Sequence, residues 1–208
     1  MRSVYLAGPE VFLANAREIG ARKKALCAAH GLNGLYPLDN AMDGAGRSRL
    51  DMAQAIYAGN VALMDRADLI IANLTPFRGP SMDPGTAFEI GYCAARGLPL
   101  FGYSNVAGTI ADRVPVAARR GAVLLDRDGL EIEDFGLSEN LMIEVPMRAS
   151  GALETGAASP DALYTDLTLF EAVLKRAADP GRILLLRRLP PRGRGLRASA
   201  RRAQNDGR

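Results

Sequence analysis

The sequence predicts an α/β fold, a parallel sheet flanked by helices in a single domain. Two observations carry that reading. Short apolar runs alternate with stretches of helical spacing from residue 2 to residue 103, in the order β-α-β-α-β-α-β, which is how right-handed crossover units of a parallel sheet read. A length of 208 residues, with 48% hydrophobic and 24% charged content, suits one main domain with a sizeable core.

The elements follow in chain order. Residues 2–7 read as a short buried strand, broken by Gly8-Pro9. Glu10 to His30 has helical spacing, with Phe12, Ile19, Leu26 and Cys27 on its apolar positions, and Gly31 ends it. Leu35 to Leu38 reads as the second strand, followed by a polar loop over 39–49. Asp51 to Arg66 is a helix whose Gly59 permits close packing. A strand from Asp68 to Leu74 leads through a Pro/Gly-rich loop to a helix from Thr86 to Arg96, and Leu98 to Tyr103 is the fourth strand. Beyond it the pattern weakens. Residues 110–120 suggest a short helix, 123–125 a short strand, Ser138 a helix N-cap, and 150–160 a small-residue linker. Ser159-Pro160 then opens a final helix to about Ala178.

The net charge of +3 is unevenly placed. Residues 180–208 carry nine Arg against one acid, Asp206, a net of +8, which leaves residues 1–179 at −5. The division is therefore a folded domain over 1–179 and an Arg-rich tail over 180–208, read as disordered. Such a tail suits weak binding of nucleic acid at most, as an accessory property. Cys27 and Cys93 sit in apolar helical settings and read as buried free thiols. No leader-like apolar stretch and no membrane-length apolar run occurs, so the expected location is the cytoplasm.

Motifs exclude several chemistries. The chain has no G-x-G-x-x-G after its first strand, no P-loop and no G-x-S-x-G elbow. A single histidine, His30, leaves no room for a triad, and no Cys/His cluster suggests a metal. What remains is DLIIANLTPFRGPSMDPGTAFEIGY over 68–92, with three carboxylates, Asp68, Asp83 and Glu89. The loop leaving a parallel strand and the helix after it line the ligand crevice of such sheets. Glu89, near the start of a helix, is expected to stay ionised through the helix dipole and to suit attack on a sugar's anomeric carbon. Tyr5, at the end of the first strand, is positioned to orient it. Each has an ordinary alternative: a first-turn acid for Glu89, an Asx turn for Asp83, a loop-edge cap for Asp68, a half-buried aromatic for Tyr5.

Four segments then resemble the nucleoside 2-deoxyribosyltransferase family: VYLAGPEVF (4–12), IYAGN (56–60), MDRADLIIANLTPFRGPSMDPGTAFEIGYCAARG (64–97) and FGLSENLMI (135–143). The resemblance implies a flavodoxin-like fold, no cofactor, and transfer of 2-deoxyribose between nucleobases in nucleotide salvage. It implies homo-oligomers built from dimers, up to hexamers, acting on deoxynucleosides and free bases. Glu89 would form a covalent deoxyribosyl ester, Tyr5 would hold it, and Asp68 would move protons to and from the base. Asp83 would bind sugar hydroxyls at the 5′ side, with Gly8 and Gly85 in the binding set. Asn140 would complete a neighbouring subunit's site at the 5′-hydroxyl.

Two rivals stand beside this reading. Related hydrolases of (deoxy)nucleoside 5′-monophosphates carry a Ser six residues before the nucleophile, where this chain has Asp83. A carboxylate there repels a phosphate and accepts from a free hydroxyl, although Arg78 and Ser81 nearby would suit phosphate. The second rival is a non-catalytic nucleoside or nucleotide sensor, against which the retained carboxylates argue.

Overall fold

Five strands form a wholly parallel sheet: β1 (Arg2–Ala7), β2 (Leu32–Leu35), β3 (Leu69–Asn73), β4 (Leu100–Ser104) and β7 (Ala152–Thr155). Their order is β2-β1-β3-β4-β7. The structure, a computed structural model, describes residues 1–40 and 46–179. The expected tail over 180–208 and part of the 39–49 loop lie outside the described residues. Every residue of β3 and β4 is buried, as the centre of a parallel sheet covered on both faces requires.

Alternation along the strands sorts the core into two layers. Val4, Leu6, Leu69 and Ile71 pack with α1 (Ala16–Ala29) and α6 (Thr168–Ala178). Tyr5, Ala7, Ile70 and Ala72 face α2 (Arg49–Asp65), α3 (Pro84–Ala95) and α5 (Leu141–Ser150). Cys27 and Cys93 are free and buried, one in each layer. Gly59 does permit close packing, since a Cβ there would lie 3.0 Å from the Asn40 amide. Among the described residues no helix is long and apolar enough to cross a membrane.

Several boundaries differ from the sequence reading. The GPEVF segment is a 3-10 turn, Pro9–Phe12, before α1 begins. β2 starts at Leu32, and Pro37–Asn40 is a second 3-10 turn rather than strand. The expected helix over 110–120 is only the one-turn α4 (Ile110–Arg113), and β5 (Ala118–Arg120) and β6 (Val123–Leu125) then form a small antiparallel hairpin. Asn140, not Ser138, caps α5. The supposed linker contains β7, and the last helix begins at Thr168, after a 3-10 turn at Pro160–Ala162.

Candidate active site

Strand order reverses direction beside β1: the chain passes through α1 to β2 on one side and returns through α2 to β3 on the other. At such a switch point the crossovers leave to opposite faces and open a crevice above the strands' C-terminal ends. A cavity of about 410 Å³ lies there, lined by Gly8, Phe12, Arg17, Leu38, Asn40, Ile56, Asn60, Asp83, Gly85 and Glu89 among others. That volume suits a small-molecule ligand.

Tyr5 and Glu89 meet at the floor. Tyr5 is fully buried in β1, and its hydroxyl donates to Glu89 Oε1 at 2.5 Å. Burial, reinforced by the neighbouring Glu89 carboxylate, pushes the Tyr5 phenol upward, so it stays protonated and remains a donor. Burial also pushes Glu89 up from 4.5 to about 7, against the Tyr5 bond, which lowers it, while the Asp83 carboxylate adds to the rise. This corrects the expectation that the helix dipole holds Glu89 ionised. Glu89 is the sixth residue of α3, beyond the first turn where free N–H groups and the dipole act. Desolvation outweighs the Tyr5 bond and lifts the carboxyl toward neutral pH.

Asp83 is the N-cap of α3, with Pro84 at the first helical position. Its Oδ2 accepts from the Thr86 N–H at 2.8 Å and the Thr86 hydroxyl at 2.9 Å. The Asx turn read from SMDPG is a helix N-cap here, and the cap and a place in the cavity wall coincide. Gly85 keeps this turn open, since a Cβ there would lie 3.1 Å from Asp83 Oδ2. Gly8 serves the other wall: its φ is +156°, and a Cβ would strike the Glu10 carboxylate at 2.0 Å.

Of the expected residues, Tyr5 reaches the cavity only through Glu89, and two others are not brought to it at all. Asp68 precedes β3, at the edge of the sheet opposite the crevice. Its Oδ2 accepts from the Ser3 N–H at 2.9 Å, and its own N–H donates to the Ser3 carbonyl at 2.8 Å. Five residues of strand separate it from the cavity end, about 16 Å. Asn140 is exposed, and its Oδ1 accepts from the Met142 N–H at 3.0 Å as the α5 cap. It does not line this chain's cavity.

The phosphate-like features are otherwise engaged. The Ser81 hydroxyl donates to Glu139 Oε1 at 2.6 Å. The Arg78 guanidinium lies over the Phe77 and Phe12 rings, 4.6 and 5.4 Å from their centroids. The sequence reading missed Arg17, Asn40 and Asn60 as lining residues. Asn60 carried a signal, the i, i+4, i+8 spacing Met52, Ile56, Asn60 that puts all three on the cavity side of α2. Arg17 and Asn40 carried none, because helix α1 and the turn after β2 had to be placed in space first.

A phenol-anchored carboxylate at the switch point of a parallel sheet places the chain among α/β proteins whose site is built to meet a small polar ligand with an acid. Residues 4–142 match the model of the family described as nucleoside 2-deoxyribosyltransferase, and the chain belongs to that family, one of glycosyl-transferring enzymes. It is 35% identical over 168 residues to an uncharacterized protein of Schizosaccharomyces pombe, covering 71% of this chain and 78% of that protein. The structure of a 2-deoxyribosyltransferase from Leishmania mexicana matches at a TM-score of 0.57 and 30% identity, over 80% of this chain and 97% of that one.

Proposed function

We propose that the protein transfers 2-deoxyribose between nucleobases, with Glu89 as nucleophile. The observation that carries this is the 2.5 Å bond from buried Tyr5 to Glu89, which itself lines the cavity. It fixes one carboxylate oxygen and leaves the other to the ligand. Glu89 attacks C1′ as the C1′–N bond breaks, giving a deoxyribosyl ester and a free base. A second base reverses the step. An oxocarbenium-like transition state is stabilised by an adjacent anion, and the missing 2′-hydroxyl eases its formation. The family membership and the Leishmania mexicana 2-deoxyribosyltransferase likeness support the reaction class.

Asp83 is assigned to the sugar, where its second oxygen accepts from a free 5′-hydroxyl. Asn140, exposed at the head of α5, is assigned to a neighbouring subunit's site in a homo-oligomer. The engagement of Ser81 by Glu139 weighs against hydrolysis of 5′-monophosphates, since that hydroxyl is not free to meet phosphate. Incubation with a deoxynucleoside, with and without a second free base, tests the reading by chromatography. A new deoxynucleoside is the expected product. Turnover of monophosphates alone would reject the proposal, and so would a Glu89→Ala variant that keeps a near-normal rate.

A further inference from the structure

Breaking an N-glycosidic bond leaves the bond's electron pair on the base, and that charge must be met by a proton or a cation. The cavity offers few groups for this. Glu89 is the attacking group in the reading above, on which this inference rests. Asp83 holds Thr86 through Oδ2. Asp68, the expected proton carrier, sits at the far edge of the sheet beside Ser3. The remaining charged lining residue among the described residues is Arg17, in the first turn of α1.

Arg17 is an exposed side chain with no ion-pair partner among the described residues. Its guanidinium makes one long bond, Nη1 to the Leu38 carbonyl at 3.5 Å. The same cavity is lined by Phe12, whose residue surface is 57% exposed and whose ring stacks on Phe77 at 5.1 Å between centroids. A flat ring backed by a second ring is a platform for a heterocycle. A stacking face and a guanidinium on one cavity together describe a subsite for a base, not for a sugar.

From this juxtaposition we infer that Arg17 is a further catalytic residue, whose guanidinium receives the negative charge of the departing base. The step balances without a general acid. A bond forms from Glu89 Oε to C1′ while the C1′–N bond breaks and its electron pair leaves with the base. The base anion, its charge spread over ring nitrogens and any exocyclic oxygen, rests against the guanidinium. It takes a proton from water on release. In the return step an incoming base loses its N–H proton to water and is held as the anion by the same cation. Fixed charge thus replaces the proton transfer expected of Asp68.

The test is a leaving-group series under single-turnover conditions. Base release is followed from 2′-deoxynucleosides of graded base acidity, with an N7-methylated purine 2′-deoxynucleoside at one extreme, for wild type, Arg17→Met and Arg17→Lys. The methylated base departs neutral and has no negative charge to stabilise. Arg17→Met is expected to slow ordinary donors by about 100-fold or more, the loss growing as the base becomes less acidic. The methylated donor should change by less than about 5-fold on the same argument. Arg17→Lys should restore much of the rate, because it keeps a cation. An equal loss on all donors would mark Arg17 as a structural or binding residue and overturn the inference, as would an unchanged rate on all of them. If wild type releases base from no deoxynucleoside, the proposed activity itself fails, and the wild-type lane alone shows it.

Discussion

Glu89 is asked to act as an anion in surroundings that disfavour one. Its elevation to about 7 has two consequences. Activity needs the carboxylate, so the rate of base release should fall as pH drops through about 7. Tyr5→Phe removes the one contact that lowers this pKa, so the acid limb of the profile should move to higher pH; a limb that stays in place would reject the role given to Tyr5. Stability runs the other way. Between 4.5 and about 7 the folded chain holds a proton that the unfolded chain has lost, so stability falls as pH rises through that window. Glu89→Gln removes the penalty, at most about 3 kcal/mol. Its Tm gain over wild type should therefore be larger at pH 8 than at pH 5, by calorimetry at both. Asp68 belongs to the opposite case. Asp68→Ala should lower Tm through the lost bond to Ser3, on the order of 1–2 kcal/mol, and leave kcat within about threefold. A loss of activity without a loss of Tm would return Asp68 to the chemistry. Its position was legible in principle: a residue that opens a parallel strand lies at the edge away from the crevice.

At the scale of elements, the loop from β3 to α3 is held from outside. Glu139, 1% exposed, accepts from the Ser81 hydroxyl and the Met82 N–H with different oxygens, at 2.6 and 2.9 Å, and from the Asn140 N–H at 2.9 Å. Arg113 fastens the same two segments, donating to the carbonyls of Pro80 and Ser138. One carboxylate thus sets both the turn before Asp83 and the residue that caps α5. Glu139→Ala strips buried partners from this joint. It should raise KM for deoxynucleosides more than it lowers kcat, since Glu89 and Tyr5 rest on other elements; steady-state kinetics checks this, and an unchanged KM would reject it. None of this was readable from FGLSENLMI, where Glu139 looks like one more surface acid. β7 was hidden for a related reason. Its approach, SGALETGAASP, lacks the β-branched run of a buried strand. The small residues answer instead to backbone proximity: a Cβ on Gly151 would lie 2.0 Å from the Leu100 carbonyl oxygen. β1, β3 and β4, with their apolar runs, were legible because burial on two faces demands such residues, whereas β2 (LNGL) has no such run and was read three residues late.

Across the whole molecule, the core layer of α1 and α6, the sheet and the cavity lining at Gly8 share a polar joint that no motif announced. Glu10, in the turn after β1, is fully buried. Its Oε1 accepts from Lys23 Nζ of α1 at 2.5 Å, Tyr103 Oη of β4 at 2.8 Å and Asn73 Nδ2 of β3 at 2.9 Å. Lys23 is itself buried, with its ammonium 5.1 Å from the Phe170 ring centroid of α6 and 5.4 Å from that of Tyr103. Five elements therefore meet on one ion pair, directly behind Gly8. A buried pair is weak evidence of net stabilisation, because desolvating two charges offsets their attraction. Removing one partner is a different matter. Lys23→Met leaves a buried carboxylate without its cation and should cost about 3–5 kcal/mol in denaturant unfolding. Adding Glu10→Gln removes the orphaned charge while an amide oxygen still accepts from Tyr103 and Asn73, so the double variant should regain most of that loss. A double variant no more stable than Lys23→Met would mean that the geometry around Glu10, rather than its charge balance, holds the elements together.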